Sequence, residues 1–176
     1  MTSAYDRYRA ADSDLPEGTW TWYLHGAGED NMGSDSAPEL VPIPRPDADH
    51  MLVRIDSVGL CFSDVKIMRQ GGSHPKLYNR DLAAEPTRLG HEVSLTVIEV
   101  GDNLKDRYRA GQRLAVQPDI YQDGTSTAYG YTIPGGLIQY TSWVRRCSRP
   151  TTARACCRCP TRWGTPRGPR SSRGAA

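Results

Sequence analysis

Five residues in two short segments have side chains that could bind a metal ion or transfer a proton. Cys61, Ser63 and Asp64 follow one β-forming run, and His91 and Glu92 precede another, with 30 positions between Cys61 and His91. A thiolate, an imidazole and a carboxylate are ligands that suit zinc. On residue types alone, a buried structural thiol and a hydrogen-bonded histidine are the commoner explanation, because single Cys and His residues are frequent.

Short strands separated by Gly- and Pro-rich turns must position these residues. Alternating and β-branched residues predict strands over 51–60 and 93–100, with shorter ones over 112–117 and 137–144. The prolines in 38–46 predict an extended edge segment, since proline cannot donate to a central ladder. A short helix is predicted over 63–69. This pattern is typical of a mainly β domain, either a sandwich or a barrel.

The charge distribution divides the chain near residue 145. The first 144 residues contain 20 acidic and 13 basic residues, a net charge of −7, whereas 145–176 contain nine arginines and no acidic residue. The second segment has one large apolar side chain, Trp163, and four of the five cysteines. It cannot bury enough apolar surface to offset chain entropy, so it is predicted to be a disordered tail.

Several classes of protein are disfavoured by the sequence. No stretch approaches the roughly 18 apolar residues of a membrane span, and the polar N-terminus has no signal-peptide core. A lone cysteine before residue 145 argues against a disulfide framework. No Gly-x-Gly-x-x-Gly follows a predicted strand, so a dinucleotide fingerprint is missing. These features predict a cytoplasmic protein with no membrane partner.

Four motifs occur in an order and spacing that resemble the zinc-containing medium-chain alcohol and polyol dehydrogenases. They are Gly-Leu-Cys-Phe-Ser-Asp (59–64), Leu-Gly-His-Glu-Val (89–93), Val-Gly-Asp-Asn-Leu (100–104) and Ala-Gly-Gln-Arg-Leu (110–114). The resemblance runs from about residue 40 to 144. Residues 58–66 and 129–140 look most like the branch of sorbitol dehydrogenase and sorbose-phosphate reductase.

The resemblance implies a GroES-like β-barrel catalytic domain over 18–144, with short helices. The polar segment 1–17 before it is predicted to be a flexible N-terminus. The resemblance also implies that the Rossmann domain of the family is missing from this chain. The abrupt change of composition at 145–176 is what a GC-rich gene yields when it is read out of frame. A basic nucleic-acid-binding arm ranks lower as an explanation, because this segment uses Arg without any Lys.

The resemblance also assigns roles to the five residues. Cys61 and His91 would be zinc ligands, and Glu92 would be a third ligand or a neighbour that exchanges with water. Ser63 would pass the substrate proton outward, or it is a solvated loop hydroxyl. Asp64 would orient His91, or it caps a helix. One zinc is expected, since no cysteine lies between His91 and residue 144 to form a structural four-Cys site.

These roles predict an oxidoreductase that transfers hydride from a small alcohol or polyol to NAD or NADP. The zinc would act at the catalytic site, whereas the nicotinamide would be held by a domain outside this chain, so the chain alone is expected to be inactive. Members of the family are usually homo-oligomers. The alternative is a non-catalytic zinc-binding GroES-like module or an inactive gene relic.

Overall fold

The computed structural model of the chain describes residues 3–12, 14–122 and 125–144, so the predicted tail at 145–176 lies outside the described residues. The described part contains two α-helices, α1 (Ala4–Ala10) and α2 (Phe62–Gln70). None of its helices is long and apolar enough to cross a membrane. Its strands are β1 (Thr19–Thr21), β2 (Glu39–Val41), β3 (His50–Gly59), β4 (Glu92–Val100), β5 (Arg113–Ala115), β6 (Asp119–Gln122), β7 (Thr125–Ala128) and β8 (Tyr140–Val144).

An antiparallel sheet in the order β5-β4-β3-β8 adjoins the two segments that contain the candidate site residues, 61–64 and 91–92. Both β3 and β4 are rich in β-branched residues, which fit a pleated, half-buried surface. They pair from Met51 with Val100 to Gly59 with Glu92, and two register irregularities interrupt this ladder. The end of β3 therefore lies opposite the start of β4. The residues that follow β3 and precede β4 meet at this edge.

The shorter strands form two further antiparallel pairs, β1 with β2 and β6 with β7. The first pair is tied to the segment before β8, because Thr21 forms a bridge with Ile138 and Oγ1 of Thr19 accepts the backbone N–H of Tyr140 at 2.9 Å. Among the described strands β2 pairs with β1 alone. This position at an edge is the one that its proline-rich sequence predicts.

Two apolar clusters fill the interior of the described part of the chain. The first lies against the four-stranded sheet and includes Met51, Val53, Leu95, Val97 and Leu114. The second packs beneath α2 and the loops around it, and it consists of Leu24, Ile67, Leu77, Leu82, Leu89, Ala128 and Tyr131. Because Ile67 is fully buried, it holds one face of α2 against the second cluster. The start of α2 is thereby fixed beside the sheet.

Helix α1 falls within 1–17, the segment that the sequence predicts to be a flexible N-terminus. Ser3 and Asp6 form a capping box at its start. The guanidinium of the buried Arg54 lies 3.4 Å from the centre of the Tyr8 ring and donates to the carbonyl of Tyr8 at 2.6 Å. Arg54 also pairs with Asp56 at 2.9 Å. A buried arginine of β3 therefore anchors α1, a long-range contact that local sequence patterns do not show.

Candidate metal centre

Cys61 is the N-cap residue of α2. Whereas the sequence predicts a strand up to residue 60, β3 ends at Gly59 and the chain then turns into the helix. The Sγ atom accepts the backbone N–H of Ser63 at 3.3 Å, and Oδ2 of Asp64 accepts the backbone N–H of Cys61 at 2.9 Å. This reciprocal capping fixes the direction of the thiol, because both ends of the motif are hydrogen-bonded.

His91 lies in the segment that enters β4, and its side chain is buried. The preceding Gly90 has φ of +84°, a conformation that favours glycine. Oδ1 of Asp64 accepts the backbone N–H of Gly90 at 2.9 Å and lies 3.3 Å from Nδ1 of His91. With Nδ1 directed at this carboxylate, Nε2 is the ring nitrogen that faces Cys61, at 3.5 Å from its Sγ atom.

Glu92 supplies a carboxylate next to these two groups. It pairs with Gly59 across the β3–β4 ladder, and a Cβ atom added at Gly59 would lie 2.5 Å from Oε2 of Glu92. The carboxylate therefore occupies space that any other residue at position 59 would fill. One ligand atom from each of Cys61, His91 and Glu92 lies within 4.8 Å of the other two. We refer to these three residues as the ligand cluster.

The donor atoms of the ligand cluster are one sulfur, one imidazole nitrogen and one carboxylate oxygen. This mixed set fits zinc, which accepts all three donor types, and it does not fit magnesium or calcium, which prefer oxygen. His91 is 8% exposed, whereas Glu92 is exposed to solvent. The cluster is thus enclosed on one side and open on the other, so that a small molecule can reach it.

Ser63 and Asp64 take different positions around the ligand cluster. Oγ of Ser63 lies 2.7 Å from Sγ of Cys61 and 3.4 Å from Nε2 of His91, so its hydroxyl faces the cluster. Asp64 is 4% exposed, and its carboxylate lies on the Nδ1 side of His91, away from the nitrogen that faces Cys61. It also caps α2, so the two interpretations of Asp64 offered by the sequence, a helix cap and an orienting residue, are compatible in one side chain.

Tyr131 is a further neighbour of the ligand cluster, and the sequence alone indicates no role for it. Its buried ring lies 5.5 Å, centre to centre, from the ring of His91. Gly130, with φ of +79°, lets the backbone approach, because a Cβ atom there would lie 3.0 Å from Cβ of His91. A Tyr-Gly-Tyr sequence is compatible with many loops, so only the folded structure reveals this contact.

Comparison with known proteins identifies the family. The family model that matches residues 47–148 is described as Alcohol dehydrogenase GroES-like domain. The chain belongs to this family. The predicted family and the predicted mainly β, GroES-like fold are therefore confirmed. The family's enzymes are alcohol and polyol oxidoreductases, and the residues of the ligand cluster all lie within the matched segment.

Individual relatives match a part of their own length. Sorbitol dehydrogenase of Bombyx mori is 37% identical over 95 residues, 54% of this chain and 24% of that protein. Mannitol-1-phosphate 5-dehydrogenase of Aliivibrio fischeri is 33% identical over 99 residues, 56% and 23% respectively. A candidate zinc-binding dehydrogenase from Sinorhizobium meliloti 1021, solved with NADP, superposes with a TM-score of 0.58 at 24% identity, over 74% of this chain and 37% of that one. The chain spans about a quarter of these curated relatives.

Proposed function

We propose that this GroES-like domain is the zinc-binding catalytic part of a dehydrogenase that oxidises a polyol or another small alcohol. The observation that supports the proposal is the convergence of Cys61, His91 and Glu92 at the open edge of the domain. Because the chain belongs to the alcohol dehydrogenase GroES-like family, the function that we infer for such a cluster is metal-assisted oxidation of an alcohol. The names of the sorbitol and mannitol-1-phosphate dehydrogenases favour a polyol as the substrate class.

In this proposal Cys61, His91 and Glu92 hold one zinc ion, which when bound supplies a Lewis acid that lowers the pKa of an alcohol. Asp64 keeps the proton of His91 on Nδ1, so that Nε2 has a lone pair for the metal. Oγ of Ser63 faces the cluster and can receive the proton that the substrate hydroxyl releases and pass it toward solvent.

The hydride acceptor in this proposal is NAD or NADP, held by residues outside 18–144. A nicotinamide must lie against the substrate carbon for hydride transfer, and a cofactor-binding unit supplies that position. We therefore expect the purified 176-residue chain to bind zinc without oxidising polyols in the presence of either nucleotide. Robust turnover by this chain alone would contradict that division of roles.

Replacement of zinc by cobalt(II) tests the metal site directly, because cobalt bound to a thiolate gives a charge-transfer absorption band. The wild-type chain is expected to bind one equivalent at the cluster and to show this band. The Cys61→Ser variant should lose the band, and His91→Ala should lose most of the affinity.

Two controls separate this site from other ligands. His25→Ala removes a partly exposed histidine that pairs with Glu39, and it should leave cobalt binding unchanged. A variant with serine in place of Cys147, Cys156, Cys157 and Cys159 should keep the band. If this second variant loses the thiolate band while Cys61→Ser keeps it, the proposed site is wrong.

A further inference from the structure

A groove of about 350 Å³ opens on the surface where β1 and β3 lie on either side of the chain that leads into β8. Backbone hydrogen bonds join these three segments. The N–H of Trp22 donates to the carbonyl of Leu137 at 2.9 Å, and the N–H of Ile55 donates to that of Gln139 at 2.8 Å. We call this the tryptophan groove, after Trp20 and Trp22, which line it together with Ile55, Leu137 and Gln139.

The lining of the tryptophan groove combines flat apolar surfaces with a few polar groups. Trp20 is 48% exposed, and Trp22 is partly exposed. Oε1 of Gln139 accepts the backbone N–H of Trp20 at 3.2 Å, so its amide NH2 group has no partner among the described residues. Ser57 also lines the groove, and its Oγ lies 2.8 Å from Oγ of Ser94, which leaves this pair of hydroxyls one further proton to donate. Such a lining suits a small molecule with both apolar and polar surface.

The charges around the groove disfavour an ionic ligand. Among the described residues that line it, Asp56 alone is charged. Oδ1 of Asp56 accepts Nε of Arg54 at 2.9 Å, and Oδ2 accepts the hydroxyl of Thr96 at 2.6 Å, so both oxygens are occupied. A ligand anion would find no cation in this lining, and a ligand cation would compete with Arg54 for Asp56. We therefore expect the ligand to be neutral.

The tryptophan groove leads along β3 to the ligand cluster. Positions 57 and 59 face the same side of β3, because side chains alternate along a strand, and they lie roughly 7 Å apart. Ser57 pairs with Ser94 of β4, and Gly59 pairs with Glu92. The Glu92 carboxylate lies over Gly59 on this side, since a Cβ atom added there would lie 2.5 Å from Oε2. A bound molecule can therefore extend from the cluster to the groove without crossing the sheet.

A sugar ring meets all of these requirements. Its C–H groups form an apolar face, which packs against the electron-rich face of an indole ring. Its hydroxyl groups donate and accept hydrogen bonds, as the amide of Gln139 and the hydroxyl of Ser57 require. The ring carries no charge, and it is chemically continuous with a sugar alcohol bound at the cluster.

We propose that the tryptophan groove binds a sugar ring, and that the substrate is a disaccharide alcohol rather than a free polyol. This inference rests on the proposed oxidation at the ligand cluster and assigns its substrate class. The reacting hydroxyl lies at Cys61 and His91, and the ring lies on Trp22 with its hydroxyls beside Gln139 and Ser57. A free sugar offers the same ring, so the test must distinguish the two sources.

Titration of the zinc-loaded 176-residue chain with maltitol, sorbitol and methyl α-glucoside, followed by saturation-transfer NMR, tests the proposal. Maltitol is sorbitol joined to a glucose ring, and methyl α-glucoside supplies the ring alone. Maltitol should bind about tenfold more tightly than sorbitol, the ratio expected of one well-stacked aromatic contact. Trp22→Leu should remove most of this ratio, whereas Trp22→Phe, which keeps a flat ring, should retain part of it. If Trp22→Leu does not fold, Trp20→Leu at a half-exposed position tests the groove independently.

Tyr5→Leu is the control, because Tyr5 is another exposed aromatic residue, lies on α1 outside the groove, and should have no effect. In EDTA-treated protein, methyl α-glucoside should still bind in a manner that depends on Trp22, whereas sorbitol should not bind. Failure of the zinc site and failure of the groove therefore give different results. Equal affinities for maltitol and sorbitol would overturn the proposal. Equal affinities for maltitol and methyl α-glucoside would also overturn it, because the groove would then bind a free sugar without any link to the cluster.

Discussion

Oδ1 of Asp64 lies 3.3 Å from Nδ1 of His91, and both side chains are buried. The same carboxylate accepts the backbone N–H groups of Cys61 and Gly90, each at 2.9 Å. One side chain therefore joins the start of α2 to the entry of β4. The distance between the two strongest candidate ligands is set by hydrogen bonds to a third residue that does not need to touch the metal.

Asp64→Asn tests this link. An amide has one acceptor oxygen, so its NH2 group must face a backbone N–H group or Nδ1 of His91. We expect zinc affinity to fall about 10- to 100-fold. The free energy of unfolding should fall by about 1–3 kcal/mol, measured by urea titration of the metal-free protein.

Asp81→Asn is a suitable control for Asp64→Asn, because Asp81 also accepts backbone N–H groups, from Ala83 and Ala84, but at an exposed turn. It should cost less than about 1 kcal/mol and leave zinc affinity unchanged. Unchanged zinc affinity in Asp64→Asn would show that this carboxylate does not orient His91.

Gly59→Ala tests the position of the Glu92 carboxylate. The added methyl would lie 2.5 Å from Oε2, so the carboxylate must leave the position in which it lies beside Cys61 and His91. We expect Gly59→Ala to lower zinc affinity as much as Glu92→Gln does, measured by competition with a chelator. The double variant should lose no more than either single variant, because both remove the same ligand.

Ser57→Ala, a change on the exposed surface of the same strand, serves as the control for Gly59→Ala and should leave zinc affinity unchanged. Additive losses in the double variant would mean that Gly59 supports the cluster in another way.

His74 should make stability depend on pH. Its pKa in the folded protein lies below the unfolded value of about 6.5, because burial and the charges of Lys76 and Lys66 disfavour the charged ring. The unfolded state therefore binds more protons, and stability is lost as pH falls through about 6.5 and below. In His74→Gln the free energy of unfolding of EDTA-treated protein should decrease less over this window. At pH 8, where the histidine is neutral in both states, the pH slopes of the two proteins should agree. Identical slopes at every pH would contradict the prediction.

Arg54 should contribute more to stability than the aromatic ring on which it stacks. Arg54→Met leaves Asp56 largely buried without its cationic partner and should cost about 3 kcal/mol. Tyr8→Ala removes the stacked ring and should cost about 1 kcal/mol. Chemical denaturation of both variants measures the difference. A larger loss for Tyr8→Ala than for Arg54→Met would show that α1 is held mainly by its aromatic contact.

Local patterns predict the central elements well. The β-branched runs predict β3 and β4 to within one residue at each end, and the short helix after Cys61 is likewise found within one residue of its predicted limits. These segments are bounded by glycines or capping residues, which act locally. The segments 112–117 and 137–144 contain shorter strands than predicted, since their length depends on the neighbouring strand rather than on propensity.

The candidate site is predictable in its residue types but not in its surroundings. The thiol, imidazole and carboxylate groups of Cys61, His91 and Glu92 indicate candidate zinc ligands from the sequence alone. The approach of Tyr131 and the packing of Lys76 against its ring depend on contacts between distant segments. The pairing of Gly59 with Glu92 also depends on the register, which the irregularities in β3 shift. No periodicity in the sequence encodes such a shift.

The residues of the ligand cluster all lie between Cys61 and Glu92, a segment that contains α2 and the following loop and joins β3 to β4. Contacts of short sequence separation form early in folding, because they close small loops. We therefore expect the proposed metal binding to need only this β3–α2–β4 unit and not the pairing of β8 with β3. During refolding in the presence of cobalt(II), the thiolate band should therefore appear before the fluorescence of Trp143 in β8 reaches its native value. This order would show that the cluster forms before β8 pairs with β3.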